Sequence, residues 1–174
     1  NIYGIITCDE AGVPGVVVSD GIETAVTDEN GIYYLKSEEY NRVVFMSVPS
    51  GYETVAEGVV PKIHKVIDGN PATTERVDWT LTKVDNTDHI LYVLGDMHLA
   101  NRTNDLNQFN SFAADINEQI EANKGKRQYA VTLGDMSWDL YWYSNAYDLY
   151  SYIATINEKV KGIQIFHTIG NHDH

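Results

Sequence analysis

Three short stretches carry side chains that bind metals or move protons: Asp96-Met97-His98, Gly134-Asp135, and Asn171-His172-Asp173-His174. Carboxylate, carboxamide oxygen and neutral imidazole, with no thiolate, suit Mn²⁺, Fe or Zn²⁺ better than Ca²⁺ or copper. A carboxylate such as Asp135 has two oxygens and can bridge two cations. A pair held ~3.5–4 Å apart acidifies a shared water and clamps an in-line displacement at phosphorus. Each stretch alone is weak, because a Gly-Asp after a strand often serves only to cap the next helix. The weight lies in their combination at the ends of similar apolar runs.

Those runs are His89–Leu94, Gln128–Leu133 and Ile163–Ile169, closing on Gly95-Asp96, Gly134-Asp135 and Gly170-Asn171. Between the first two, Leu106, Phe109, Phe112, Ala113, Ile116 and Ile120 recur at helical spacing, with Thr103 or Asn104 as cap and Gly125 as end. An aromatic-rich segment from Leu140 to Lys161 reads as a second helix, with Gly162 as its stop. Strand, helix, strand, helix, strand implies a parallel sheet built of βαβ units. Right-handed crossovers place all three strand C-termini on one edge, where open α/β sheets bind ligands. The spacing therefore predicts one shared pocket.

The first half has a different period. Ile2–Thr7, Gly15–Ser19, Ile32–Leu35, Arg42–Val48 and Arg76–Thr82 read as strands, separated by AGVPG, SDG, TDENG and PSG turns. In RVDWTLT, Val77, Trp79 and Leu81 alternate with polar residues, as in a half-buried strand. Short strands at this spacing predict a β-sandwich. The polar KVDNTD marks a linker, dividing the chain into an all-β domain (1–83), a linker (84–88) and an α/β domain (89–174). His64 reads as a surface residue. VPGVVVSDGIETAVTDENGIYYL resembles the carboxypeptidase regulatory-like, transthyretin-like sandwich module at the N-terminus of many exported bacterial proteins. That resemblance implies export to the periplasm or cell surface.

Bulk composition narrows the classes further. An apolar share of 43% supports packed cores. No apolar run reaches the ~20 residues of a membrane span. A net charge of −13 lacks the basic footprint of a nucleic-acid surface. Cys8 is the single cysteine, which excludes an internal disulfide and a zinc-thiolate site, and it reads as a small buried hydrophobe. The chain opens on Asn1 without a leader pattern, so a leader was removed or the chain was trimmed.

LGDMH, LGDMSWD and GNHD, in this order on these strand ends, resemble the first three signature blocks of the calcineurin-like metallophosphoesterases, over residues 89–174. The resemblance implies a metal-dependent phosphoesterase with two divalent transition metals (Mn, Fe or Zn) and a dinuclear-metal-activated hydroxide. It makes Asp96 and His98 ligands of the first metal, Asp135 the bridge and Asn171 a ligand of the second. His172 then faces the phosphate and protonates the leaving oxygen, and Asp173 orients His172.

The family's later lone His and Gly-His-x-His block are absent from this sequence. His174 is too close to His172 to replace them, His167 reads as a core or sheet-face residue, and His89 starts its strand far from the site. The chain is therefore expected to be the truncated first half of the metallophosphoesterase fold, with partial or no metal occupancy and little activity alone. Its unpaired sheet edge invites self-association.

A small phosphate ester is the expected substrate. Trp138 and Tyr141 stand near the pocket, where they either stack on substrate or belong to a helical stripe of Leu140, Tyr143, Tyr147 and Tyr150 packed on the sheet. The competing reading is a non-catalytic surface-binding or scaffold protein with a vestigial phosphatase-like half. A zinc peptidase would need an H-E-x-x-H helix, which the sequence lacks.

Overall fold

The computed structural model describes residues 1–100, 102, 104–138 and 147–173. It is mostly β-strand, arranged in several sheets, with few helices. The chain divides into two compact units: Asn1–Val55 with Lys62–Thr87, and Ala56–Pro61 with Asp88–His174.

The first unit holds β1 (Ile2–Cys8), β2 (Ala11–Gly12), β3 (Val17–Ser19), β4 (Thr24–Val26), β5 (Ile32–Leu35), β6 (Val43–Met46) and β7 (Tyr52–Thr54). The strands β10 (His64–Val66), β11 (Glu75–Arg76) and β12 (Trp79–Lys83) complete it. A six-stranded sheet is centred on β1, and β10-β6-β3-β4 form a four-stranded sheet. Alternating residues of both sheets build one core, including Ile2, Ile6, Val18, Tyr33, Val44, Met46 and Trp79. Val77, Trp79 and Leu81 are buried, as their alternation predicts.

The ladder itself breaks between β11 and β12. There Asp78 Oδ1 accepts from Ile5 N–H at 2.9 Å. Opposite the break, a Cβ on Gly4 would lie 1.9 Å from Val77 O, so only glycine admits the crossing. The sequence run Arg76–Thr82 is thus two strands rather than one. The very short strands β4, β7 and β10 carry too few residues to show a period, and the sequence reading passes over them.

In the second unit, β13 (His89–Leu94), β14 (Arg127–Thr132) and β15 (Gln164–Phe166) form a parallel sheet in that order. Among the described residues, the helices are α1 (Asp105–Ala122) and α2 (Leu149–Lys159). Phe109, Ala113 and Ile116 of α1, with Tyr152 and Ile156 of α2, pack with Tyr92, Leu94, Ala130 and Ile165 of the sheet. Asp148 caps α2 by accepting from Ser151 N–H at 2.8 Å. Asn104 precedes α1 in a left-handed conformation and makes no side-chain cap bond, and Thr103 lies outside the described residues.

Two details differ from the sequence reading. α2 closes on extended Val160, while Gly162, at φ 82°, turns the chain into β15 two residues later. The third strand also ends at Phe166, earlier than its apolar run, because Thr168 N–H leaves the ladder to donate to Thr132 Oγ1 at 2.9 Å.

The short hairpin β8 (Ala56–Glu57) and β9 (Val60–Pro61) belongs to this second unit, although the sequence reading groups it with residues 1–83. Ile165 N–H donates to Val59 O at 2.7 Å, and Val59 N–H donates to Asn157 Oδ1 at 2.8 Å. Val59 is itself buried in the second core.

Candidate metal centre

The parallel register brings the C-terminal ends of β13 and β14 side by side, with Leu94 opposite Thr132. Beyond the strands the two loops stay zipped. Leu133 N–H donates to Leu94 O at 2.9 Å, His98 N–H to Asp135 O at 2.9 Å, and Leu99 N–H to Met136 O at 3.0 Å. These bonds fix the separation of Asp96, His98 and Asp135 independently of any ligand.

One nitrogen of His98 and one oxygen from each of Asp96 and Asp135 lie within 4.8 Å of one another. His98 Nε2 is 3.8 Å from Asp96 Oδ1 and 3.9 Å from Asp135 Oδ2. Asp96 is the outermost, its side chain 78% exposed, while His98 and Asp135 are 24% and 17% exposed. The set has an inner wall and an open, anionic mouth.

All three residues adopt positive φ: 42° at Asp96, 47° at His98 and 49° at Asp135. Non-glycine residues rarely do so, and such strain collects at functional sites because the surroundings over-determine it. Here the zipped backbone bonds hold the strained conformation.

The third loop joins through Asp135 and Asp173. Asp135 Oδ1 accepts from His172 N–H at 3.0 Å, leaving Oδ2 toward His98. Asp173, buried, accepts from Ser137 N–H at 2.8 Å, from Ser137 Oγ at 3.1 Å and from Gly170 N–H at 2.9 Å. Its carboxylate ties the turn after β15 to the loop after β14. Gly134, at φ 93°, and Gly170 meet at the centre of this junction. A methyl on Gly170 would sit 2.2 Å from Asp135 Oδ1. Asn171 opens the same turn, exposed, one residue before His172.

Aromatic rings line one side. Trp138 stacks on His172 with centroids 4.6 Å apart and planes 13° apart, and it tilts against His98 at 4.5 Å. His98 and His172 meet edge-on at 5.2 Å. Arg102 lies over Trp138 at 5.5 Å and donates from Nη2 to His98 O at 2.9 Å. Its Nε is held by Asp105 Oδ2 at 2.8 Å. The sequence reading missed Arg102 and Ser137, since neither belongs to a recognisable pattern. Tyr141 and Tyr143 lie outside the described residues, as does His174; Tyr147 packs partly buried on the core and Tyr150 is exposed.

His167 lies apart from this group. Its two ring nitrogens are buried without hydrogen-bond partners, and Tyr152 meets it edge-on at 5.8 Å. Burial lowers its pKa to about 4, so it is neutral at ordinary pH. His64 is exposed on β10, and His89 begins β13 at the end of the sheet remote from Asp96.

The donor set at Asp96, His98 and Asp135 fits a divalent transition metal: one imidazole nitrogen and two carboxylates, at separations one ion can span after small rotations. Among the described residues, no helix is long and apolar enough to cross a membrane.

No curated protein and no solved structure matches the chain. Residues 1–84 match the family model described as the N terminal of Calcineurin-like phosphoesterase, a span that covers the β-rich first part and precedes every residue of the metal centre.

Proposed function

We propose that this chain belongs to a metal-dependent phosphoesterase that hydrolyses a small phosphate ester. The β-rich part would then be an accessory sandwich, and the parallel sheet with its helices one half of the catalytic fold. The observation that carries the proposal is the convergence of Asp96, His98 and Asp135 at adjacent strand ends. The matched model, by its description, represents a domain that stands N-terminal in a phosphoesterase, and the metal centre follows the match directly.

Two divalent cations bound here would supply Lewis acidity toward the phosphoryl oxygens and a nucleophilic water at neutral pH. Asp96 and His98 would hold the first, Asp135 would bridge, and Asn171 would offer its amide oxygen to the second. The protein's own contribution is placement. The strained backbone fixes the ligands, and Asp173 holds the turn that presents His172. Trp138 stacked on His172 fixes the imidazole plane and shields one face from water, which suits His172 to donate a proton to the leaving oxygen.

Two observations support a further, completing segment. Two cations need about eight donor bonds between them, and these four side chains offer fewer. Parallel sheets are also covered on both faces, yet Leu91 and Val93 of β13 are 52% and 57% exposed on the face away from the helices. We therefore expect the chain by itself to bind metal weakly and turn over little.

Isothermal titration with Mn²⁺ and Zn²⁺ tests the site. Binding to the chain is expected to fall at least ~10-fold in Asp135→Ala and in Gly170→Ala, whose methyl displaces Asp135. Equal affinity in both variants would remove the site from this location. Robust hydrolysis of a chromogenic phosphate ester by the chain alone, abolished by Asp135→Ala, would refute the incomplete-site reading. The same assay on a longer open reading frame decides between an enzyme and a scaffold.

A further inference from the structure

A second cluster of ligand-type side chains lies in the first unit, far from the metal centre in sequence. Glu39, Asp68 and Glu75 each offer a carboxylate oxygen, and these oxygens lie within 4.8 Å of one another. Three like charges this close repel one another unless something compensates them.

Glu39 makes the cluster more than an acidic patch. Its residue is only 2% exposed. One oxygen, Oε1, accepts from Asn1 Nδ2 at 2.5 Å, but Oε2 is buried and has no hydrogen-bond partner. A buried carboxylate oxygen without a partner is costly, and proteins keep such groups where a proton or a cation completes them. Burial, then the Glu75 and Asp68 carboxylates, push the Glu39 pKa upward, against the Asn1 hydrogen bond and the N-terminal ammonium, which lower it.

The backbone invests in this placement. Glu39 itself has φ 57°, and Ser37 Oγ accepts from Glu39 N–H at 2.8 Å. Across the cluster, Glu75 Oε1 accepts from Asp68 N–H at 2.8 Å, and Asp68 Oδ1 accepts from Asn70 N–H at 2.7 Å. Thr73 Oγ1 approaches Asp68 Oδ2 at 3.3 Å. The Arg42 side chain runs against Gly69 in the same loop, yet no ion pair joins it to the three carboxylates among the described residues.

We infer that Glu39, Asp68 and Glu75 bind a hard divalent cation of the calcium class, pinning the Asp68–Glu75 loop to the start of the first sheet. The donors are carboxylate oxygens, with the Thr73 hydroxyl beside Asp68 Oδ2, and neither imidazole nor thiolate belongs to the group. Ca²⁺ accepts six to eight oxygens in adaptable geometry, whereas Mg²⁺ demands a strict octahedron and keeps its waters. Because Glu75 begins β11, which pairs with β1, and Asn1 flanks β1, the cation would act as a clasp on that sheet.

The test is thermal unfolding and calorimetric titration of the whole chain, freed of metal and then given Ca²⁺ alone. Millimolar Ca²⁺ is expected to raise the midpoint by about 4 °C, with Mg²⁺ giving less. Asp68→Asn and Glu75→Gln are expected to weaken Ca²⁺ binding at least ~10-fold. Asp135→Ala is expected to leave it unchanged, which separates this site from the transition-metal centre. Absence of any Ca²⁺ effect on the wild-type chain overturns the inference, as does a Ca²⁺ effect that survives Asp68→Asn and Glu75→Gln or vanishes only in Asp135→Ala. Glu39→Gln removes the buried charge without changing shape. A Ca²⁺ response in Glu39→Gln as strong as in wild type would likewise overturn the inference, because Glu39 would then take no part in the site.

Discussion

At the scale of single residues, this chain places strain and burial where they are costly and holds them with neighbouring hydrogen bonds. Asp96, His98 and Asp135 keep positive φ because paired backbone bonds leave no alternative. His167 is a different case: its ring nitrogens are buried without hydrogen bonds, and burial lowers its pKa to about 4 against the Asp173 charge, which raises it. An unfolded histidine titrates near pH 6.5, so between these values the unfolded chain binds more protons than the native one. Stability is therefore full above about pH 6.5 and is lost as pH falls toward about 4. His167→Phe keeps the contact with Tyr152 and removes the titration. In chelator, the variant is expected to gain on wild type by roughly 1–3 kcal/mol between pH 7 and pH 4, read by urea unfolding. Parallel pH profiles for the two proteins would show that His167 is not the group responsible.

At the scale of elements, the hairpin from Ala56 to Pro61 shows how a few residues change allegiance. Val59 is 1% exposed, its carbonyl receives Ile165 N–H, and its amide is held by Asn157. Those bonds, one to β15 and one to a side chain of α2, seat the hairpin against that strand, a common way of protecting an edge from pairing with another molecule. Gly58, at φ 61°, is needed because a methyl there would sit 2.4 Å from Asn157 Oδ1. Val59→Ala is expected to cost about 2 kcal/mol. Hydrogen exchange should show the loss in Gln164–Phe166 and Leu149–Lys159, with Ile2–Cys8 protected as before. Deprotection of Ile2–Cys8 instead would mean that the hairpin stabilises the first unit.

At the scale of the whole molecule, two compact units have separate cores, and each carries a group of ligand-type side chains of its own. The second unit covers only one face of its sheet. With Leu91 and Val93 exposed on the other, we expect association of copies at high concentration, since exposed apolar surface favours docking or aggregation. Sedimentation velocity should show a monomer at low micromolar concentration and larger species above about 100 µM, suppressed in Val93→Lys. A wild-type chain that stays monomeric at all concentrations would argue that this face needs no cover.

The sequence by itself determined the order of the longer elements and pointed to three stretches whose side chains can bind metals. Apolar periodicity is written locally: Val77, Trp79 and Leu81 alternate, and Phe109, Ala113 and Ile116 recur at helical spacing because each must face a core. The ends of β13 and β14 were nearly as legible, since glycine followed by a polar residue closes an apolar run, whereas β15 stops at Phe166, short of Gly170. Other features required the tertiary structure. Asp173 bonding to Ser137, Arg102 lying over Trp138, and Glu39 meeting Asp68 and Glu75 are contacts between residues with no common pattern. The same holds for Val59, which bonds to a strand more than a hundred positions later. Such pairings depend on which surfaces meet once loops close, and that is fixed by packing energies summed over the whole chain rather than by any local rule.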